Sequence, residues 1–305
     1  MTRPQPSTAT AHRHRNGLLL GLGAYGLWGV IPIYFKLLAG LSAIDIVAHR
    51  VLWSLPFLLL LTAITRGWDK VRVVLADRRT LAMLGVSALL IAINWLVYVY
   101  SVVSGHILAS SFGYYLNPLA NVLLGRFVLK ERLSRVQWIA VAIAAAGISV
   151  LAAGALAHLW ISLVLCVSFA SYGLLRKVVD ADAMTGLTVE TAILLPVAIG
   201  WLALGFASGR AVAGTSDLDL GLLIASGVIS TTPLLLFTAA ARRLKYSTLG
   251  MLQFLAPTLQ FLIAVFIYGE PFTPAHAIAF GAIWTALALY VTALLRKPRL
   301  PTAPE

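Results

Sequence analysis

Hydrophobic residues fall along this chain in ten continuous runs, at 18–38, 43–64, 80–100, 107–129, 136–154, 157–175, 186–207, 219–240, 247–268 and 275–295. Each holds roughly the 20 apolar residues that a helix needs to cross a bilayer. The runs are continuous and do not alternate with period two, which favours helices over a barrel. The gaps are short, so no soluble domain sits between them. The longest, 65–79, is basic and predicts a surface helix. The pattern predicts an all-α polytopic membrane protein with ten transmembrane helices.

The runs also repeat. Asn117-Pro118 is followed 13 residues after its proline by Glu131, and Ala256-Pro257 is followed 13 residues after its proline by Glu270. A shift of 139 superposes both prolines and both glutamates, while a shift of 141 carries Lys36 onto Lys177 and His49 onto Glu190. Two copies of about 140 residues are too long for solenoid units. The domain reading is a tail at 1–16, a first five-helix repeat at 17–155, a second at 156–296 and a tail at 297–305. Five is odd, so consecutive copies insert in opposite orientations, the inverted repeat of many transporters.

Of 305 residues 60% are hydrophobic and only 11% charged, which is too little charge for a soluble domain. The net charge of +12 invites a nucleic-acid reading, but its placement argues otherwise. With the N-terminus assigned to the cytoplasm, 20 of the 23 basic residues fall in cytoplasmic segments, Arg176 and Lys177 among them. The other side holds only Arg210, and Lys36 and Arg50 lie within spans. This is the positive-inside rule, which puts both termini in the cytoplasm. A nucleic-acid protein would gather its charge on one folded face. The first run is too long and too polar at Trp28, Pro32 and Lys36 for a signal peptide, and reads as a retained helix. The single cysteine, Cys166, forms no internal disulfide. Glycines of the first run and the Ala/Gly stretch 142–147 read as close helix packing.

Ionisable residues inside spans are costly and become functional candidates. Asp45, His49 and Trp53 share a helix face at i, i+4, i+8, with Arg50 beside it about 10 Å in from the external end. Arg50 and His49 point to a site for an anionic or carboxylate-bearing solute, with Asp45, His49 or Glu190 handling a proton. For Asp45 the structural alternative is stronger, because Ser42 and Asp45 stand where a helix start favours them. Glu190 falls near the cytoplasmic end, too far in depth from Arg50 for a direct ion pair. Spans four and nine carry neutral polar stripes, with Ser110, Tyr114, Asn117 and Asn121 in one and Gln253 and Gln260 in the other. The 139 shift pairs Tyr114 with Gln253 and Asn121 with Gln260, so the stripes are expected to face each other across a central cavity. Pro118 and Pro257 permit bending beside them. Asn94, Trp95, Tyr98 and Tyr100 of span three, and Thr231, Thr232 and Pro233 of span eight, are further cavity or gate candidates. Glu131 and Arg135 form an i, i+4 pair on the rim. The equal spacing of Glu131 and Glu270 suggests turn capping.

The chain has no H-E-x-x-H, P-loop or G-x-S-x-G motif, and no carboxylate or Cys/His cluster at metal spacing. No catalytic residue, cofactor or metal is therefore expected. This excludes an ATP-driven pump on this chain alone and disfavours an enzyme.

Several segments resemble the RarD branch of the EamA family, within the drug/metabolite transporter superfamily. They begin with Ala24-Tyr25-Gly26-Leu27-Trp28-Gly29, Tyr34-Phe35-Lys36 and His49-Arg50-Val51-Leu52-Trp53-Ser54. They continue with Asn94-Trp95, Gly113-Tyr114-Tyr115-Leu116-Asn117-Pro118 and Tyr172-Gly173-Leu174-Leu175-Arg176-Lys177. Glu190-Thr191, Thr231-Thr232-Pro233 and Tyr268-Gly269-Glu270 extend the likeness over nearly the whole chain. The resemblance implies the ten-helix inverted-repeat fold, an inner-membrane location and a permease role. The family name is tied to chloramphenicol sensitivity, a phenotype that defines no substrate.

The expected function is a secondary transporter of a small organic solute or drug-like metabolite, working by alternating access, with proton coupling as a further hypothesis. The alternative is a non-transporting membrane sensor or scaffold. The expected partners are the solute and membrane lipid, without nucleic acid; monomer and homodimer both stay open.

Overall fold

The computed structural model describes residues 8–38, 40–103, 107–152, 159–214, 216–267 and 274–295. These form twelve helices and, among the described residues, no strand. The first six are α1 (Thr8–Leu37), α2 (Ala43–Ile64), α3 (Trp68–Ala76), α4 (Arg78–Val103), α5 (Ile107–Phe127) and α6 (Arg135–Ala152). The second six are α7 (Leu159–Val178), α8 (Ala183–Ala207), α9 (Asp217–Ala241), α10 (Tyr246–Gln253), α11 (Leu255–Phe266) and α12 (Pro274–Leu295). Seven of them, α1, α2, α4, α7, α8, α9 and α12, are long and apolar enough to cross a membrane.

The basic gap after α2 folds as the expected surface helix, α3. The hydrophobic run at 247–268 does not form one helix. It breaks at Phe254, which ends α10 and begins α11. Pro257 explains the break: it has no N–H to give the Gln253 carbonyl, and its ring is tolerated only in the first turn of a restarted helix. Pro118 sits inside a continuous α5.

The surface is apolar. Phe206 is 80% exposed, Val197 73% and Leu204 71%. In water such a surface would drive aggregation, and in lipid it is the solvated face. Inside, aromatic rings form the centre: Phe169 lies 5.5 Å from Phe237, which stacks on Tyr172 at 6.3 Å. Trp28 and Tyr25 of α1 close this cluster from the side. Small residues let backbones meet. At Gly227 of α9 an added Cβ would lie 2.5 Å from the Trp53 backbone of α2, so only glycine permits this crossing.

The main packing pairs are α2 with α8 and α9, α1 with α9 and α11, α4 with α7, α5 with α7 and α10, and α6 with α12.

Candidate functional site

Arg50 stands seven residues into α2, and Glu190 seven residues into α8. The two helices pack together and both residues line one buried cavity. The sequence predicts no direct ion pair between them, and none is formed. At about 1.5 Å per residue each lies about 10 Å from its own end of the bundle, and long side chains close most of the remaining gap. Val51 and Ser54 of α2, Trp95 of α4, Tyr172 of α7, Thr191 of α8, and Thr231 and Leu234 of α9 complete most of the wall. The volume is about 20 Å³, room for about one water molecule. Helices from both halves thus surround a closed space.

The Arg50 guanidinium lies over the Trp95 ring, 3.8 Å from its centroid. It forms no salt bridge among the described residues. Glu190 pairs instead with Arg176, 3.6 Å away, and both side chains are fully buried. Arg176 also donates to the carbonyls of Asp182 and Ala183, at 3.2 and 3.3 Å. Gly186 makes room for it, since an added Cβ would lie 2.1 Å from the guanidinium. The sequence predicts Arg176 in the gap after a span ending at 175; the structure instead places it in the last turn of α7, with its side chain turned inward. Two guanidiniums against one carboxylate leave one positive charge uncompensated in the protein interior.

The N-terminal end of α2 carries a second cluster. Asp45 is buried, accepts from the Trp201 indole at 2.8 Å and pairs with Arg210 at 3.3 Å. Asp45 stands in the first turn of α2, as expected of a helix-start acid, and makes this pairing in addition; Ser42 precedes α2 without a side-chain cap. Arg210 also lies over Trp201, 4.9 Å from the ring centroid. His49 accepts from the Trp53 indole through Nδ1 at 3.3 Å, which leaves Nε2–H to donate to the Val212 carbonyl at 3.0 Å. The α8–α9 loop is thus tied across the end of α2, turning at Gly209 and Gly214 with φ of 74° and 81°. An open recess of about 480 Å³, lined in part by Ser42, Asp45, Arg210 and Asp219, lies outside it.

The neutral stripes sit elsewhere. Asn121 donates to Gln253 at 2.8 Å, joining α5 to α10 directly. Gln260 is exposed and donates to the Trp28 carbonyl at 3.0 Å, so the stripes do not mirror each other across the cavity. Asn94 donates to the Leu165 carbonyl and to Ser168, both at 3.0 Å, and accepts from Tyr114 at 3.2 Å. Asn117 is buried with neither amide atom hydrogen-bonded. None of Asn94, Tyr114, Asn117, Asn121, Gln253 or Gln260 is part of the cavity wall, and neither is His49. Thr231 donates to Ser54 at 2.7 Å. The side chains of Lys36 and Ser110, and all of Glu270, lie outside the described residues.

The expected Glu131–Arg135 pair is not formed. Glu131 accepts from the Tyr246 and Ser247 N–H groups, at 2.5 and 3.0 Å, and from the Ser247 hydroxyl at 2.6 Å. It thereby caps α10 from the other half of the chain, where a carboxylate meets the positive end of a helix. At the same end Arg242 donates to the Val179 and Ala181 carbonyls, and Lys177 to those of Ala241 and Leu244.

A signal for part of the cavity was present in the repeat. The 141 shift carries Arg50 onto Thr191, and the 139 shift carries Trp95 onto Leu234. All four line the cavity.

Residues 15–153 match the EamA-like transporter family. An uncharacterized transporter of Vibrio cholerae serotype O1 is 46% identical over 90% of this chain and 92% of its own length. Protein RarD of Escherichia coli K12 is 43% identical, over 92% of this chain and 95% of its own. The chloramphenicol-sensitive protein RarD of Pseudomonas aeruginosa is 35% identical, over 90% and 92%. A crystal structure at 18% identity superposes with a TM-score of 0.72, over 93% of this chain and 100% of that one, which is a likeness of fold alone. Apolar spanning helices and these relatives define a multi-pass transporter of the inner membrane. The chain belongs to the EamA-like transporter family, in its RarD branch.

Proposed function

We propose that this chain is a secondary transporter that moves a small organic anion by alternating access between two inverted five-helix halves, 17–155 and 156–296. The observation that carries the reading is Arg50: a partly buried cation with an aromatic support and no carboxylate of its own, in a cavity walled by both halves. A charge left unpaired in a membrane protein is expensive unless a ligand completes it. A monoanion supplies the missing charge.

The helix packing supports the inverted repeat. If α10 and α11 count as one span, exchanging the halves maps the α1–α9 pair onto α4–α7 and the α1–α11 pair onto α5–α7. The α2–α8 and α6–α12 pairs map onto themselves. This is the pattern of a two-fold axis passing between α2 and α8, where the cavity lies. In this reading the chain has ten spans, with α3 lying outside them.

In this reading the cavity is closed at both ends. The Asp45–Arg210 pair and the His49–Val212 bond close the outside; Arg176–Glu190 and the α9–α10 carbonyl ties close the inside. Thiol labelling tests it. Cys166 is buried and is replaced by alanine as background. A Thr231→Cys variant then reacts slowly with a water-soluble thiol reagent, and adding Arg210→Gln speeds labelling from outside about tenfold, because removing one partner of a partly buried pair costs the closed state on the order of 1 kcal/mol or more. No labelling from either side, with or without Arg210, removes the cavity and returns the sensor or scaffold alternative.

Proton coupling, if it operates, acts on the closures. Asp45 belongs to the outer latch and Glu190 to the inner one, so a proton taken up at either releases a charge pair, whereas a proton on His49 Nδ1 breaks only its bond from the Trp53 indole and keeps the Val212 tie. Uptake into proteoliposomes is expected to rise with an imposed pH gradient; a rate indifferent to the gradient rules coupling out.

A further inference from the structure

α3 is held in place from two sides. Val71 and Val74 pack inward in one cluster with Leu84, Val179 and Val189. Lys70, on its flank, donates at 3.1 Å to Asp182, which caps α8 by accepting from the Thr185 N–H at 2.8 Å. Burial would raise the Asp182 carboxyl, but the bonds from Thr185 and Lys70 outweigh it and hold the group below the ordinary carboxylate range. The orientation of α3, and so of its outer face, is therefore fixed.

That outer face has an amphipathic character suited to a bilayer surface. Trp68 and Leu75, seven residues apart on one side of the helix, are 43% and 53% exposed. Arg72 lies beside them with its side chain 80% exposed. Exposed Arg66 precedes the helix, and exposed Arg78 and Arg79 follow it. The acids of the segment do little to neutralise these charges. Asp69 is paired only loosely with Arg72, at 3.4 Å. Asp77 is committed to the start of α4, where the Thr80 hydroxyl and then the Arg79 and Thr80 N–H groups hold its carboxyl below the ordinary range. The adjoining α4 exposes Val86 and Leu89, which places α3 at the edge of the lipid-facing surface.

We propose that α3 and its flanks are a docking surface for anionic phospholipid of the cytoplasmic leaflet, with Trp68 and Leu75 entering the headgroup boundary and Arg66, Arg72, Arg78 and Arg79 holding the phosphates. Indole rings settle at this depth, and an in-plane helix binds through apolar area plus attraction to anionic lipid. Charge complementarity favours lipid over an acidic protein, because the face is a convex helix side continuous with lipid-facing α4 and forms no groove. Through Lys70 and Asp182 the same helix adjoins Arg176, so lipid charge bears on the inner closure.

The test places the full chain in nanodiscs containing brominated phosphatidylcholine or brominated phosphatidylglycerol. The Trp68 signal is the difference between the wild type and Trp68→Phe. Brominated phosphatidylglycerol is expected to quench it more strongly. In the Arg72→Gln/Arg78→Gln/Arg79→Gln variant the preference falls by about fivefold per charge, and raised salt has the same effect. The matching triple lysine variant retains the preference, which separates charge from folding. Equal quenching by both lipids, or none by either, overturns the proposal.

Discussion

Replacing Arg50 by glutamine is expected to abolish transport of an organic anion while leaving the empty protein at least as stable as before. The two effects come from one cause. Arg50 and Arg176 face a single buried carboxylate, Glu190, and the carboxylate is claimed by Arg176 at 3.6 Å. Arg50 keeps the Trp95 face at 3.8 Å as its support. A cation over an indole is stabilised by the ring, but by less than burial costs a bare charge. An anion that enters the cavity restores neutrality, and removing its counter-charge costs about 3 kcal/mol or more, which is a hundredfold or greater loss in binding. The measurement is thermal stabilisation of the purified protein by a panel of monocarboxylates and the corresponding alcohols. The wild type is expected to respond to the acids and ignore the alcohols, and Arg50→Gln to ignore both. Arg50→Lys keeps the charge but not the planar fork and stack, and falls between them. A purely structural Arg50 would lower the melting temperature when replaced. A higher or unchanged melting temperature with lost ligand response marks it as a binding residue, at a stability cost typical of functional sites. Acid and alcohol responses that are alike in the wild type would end the anion reading.

The legibility of this molecule in its sequence follows the range of the interactions. Helix location depends on local hydropathy, so the runs and the amphipathic insert at α3 could be read directly. Faces could be read too: Asp45, His49 and Trp53 do share one, and the His49–Trp53 bond is the i, i+4 contact that spacing implies. What the spacing could not supply was partners from distant helices. Asp45 reads as a helix-start acid and is one, but nothing local shows that Arg210 and Trp201 are brought to it from the α8–α9 end. Glu131 and Arg135 satisfy a local pairing rule, yet the N-terminus of α10 offers Glu131 two backbone donors and a hydroxyl in one place, and three directed bonds outweigh one exposed ion pair. Arg176 was hidden by its neighbourhood. Beside Lys177 at a helix end it reads as a positive-inside charge, and only the space left by Gly186 allows it to turn inward. The internal shift was the better guide, because the residues it pairs, Arg50 with Thr191 and Trp95 with Leu234, all line the cavity.

Glu190→Gln is expected to be the most destabilising single substitution in the membrane interior. It leaves Arg176 buried with only the Asp182 and Ala183 carbonyls as hydrogen-bond partners, and leaves two guanidiniums in the interior with no carboxylate between them. Removing one partner of a buried pair costs about 3–5 kcal/mol, whereas removing both can be nearly neutral. The double variant Glu190→Gln/Arg176→Met should therefore recover most of the melting temperature lost in the single one, and a double-mutant cycle should give a coupling of about 2 kcal/mol or more. If the two substitutions simply add, the 3.6 Å contact is incidental and the inner closure must rest on the α9–α10 carbonyl ties alone. The same variant addresses the cavity. Without Glu190 the uncompensated charge rises from one to two, so the protein that survives should shift its ligand response from monocarboxylates toward dicarboxylates. Arg176 would then act as a second counter-ion, a role that Glu190 denies it in the native chain. A dicarboxylate response that appears only in Glu190→Gln, and disappears again in the double variant, would establish that charge balance around Arg50 sets which anion is carried.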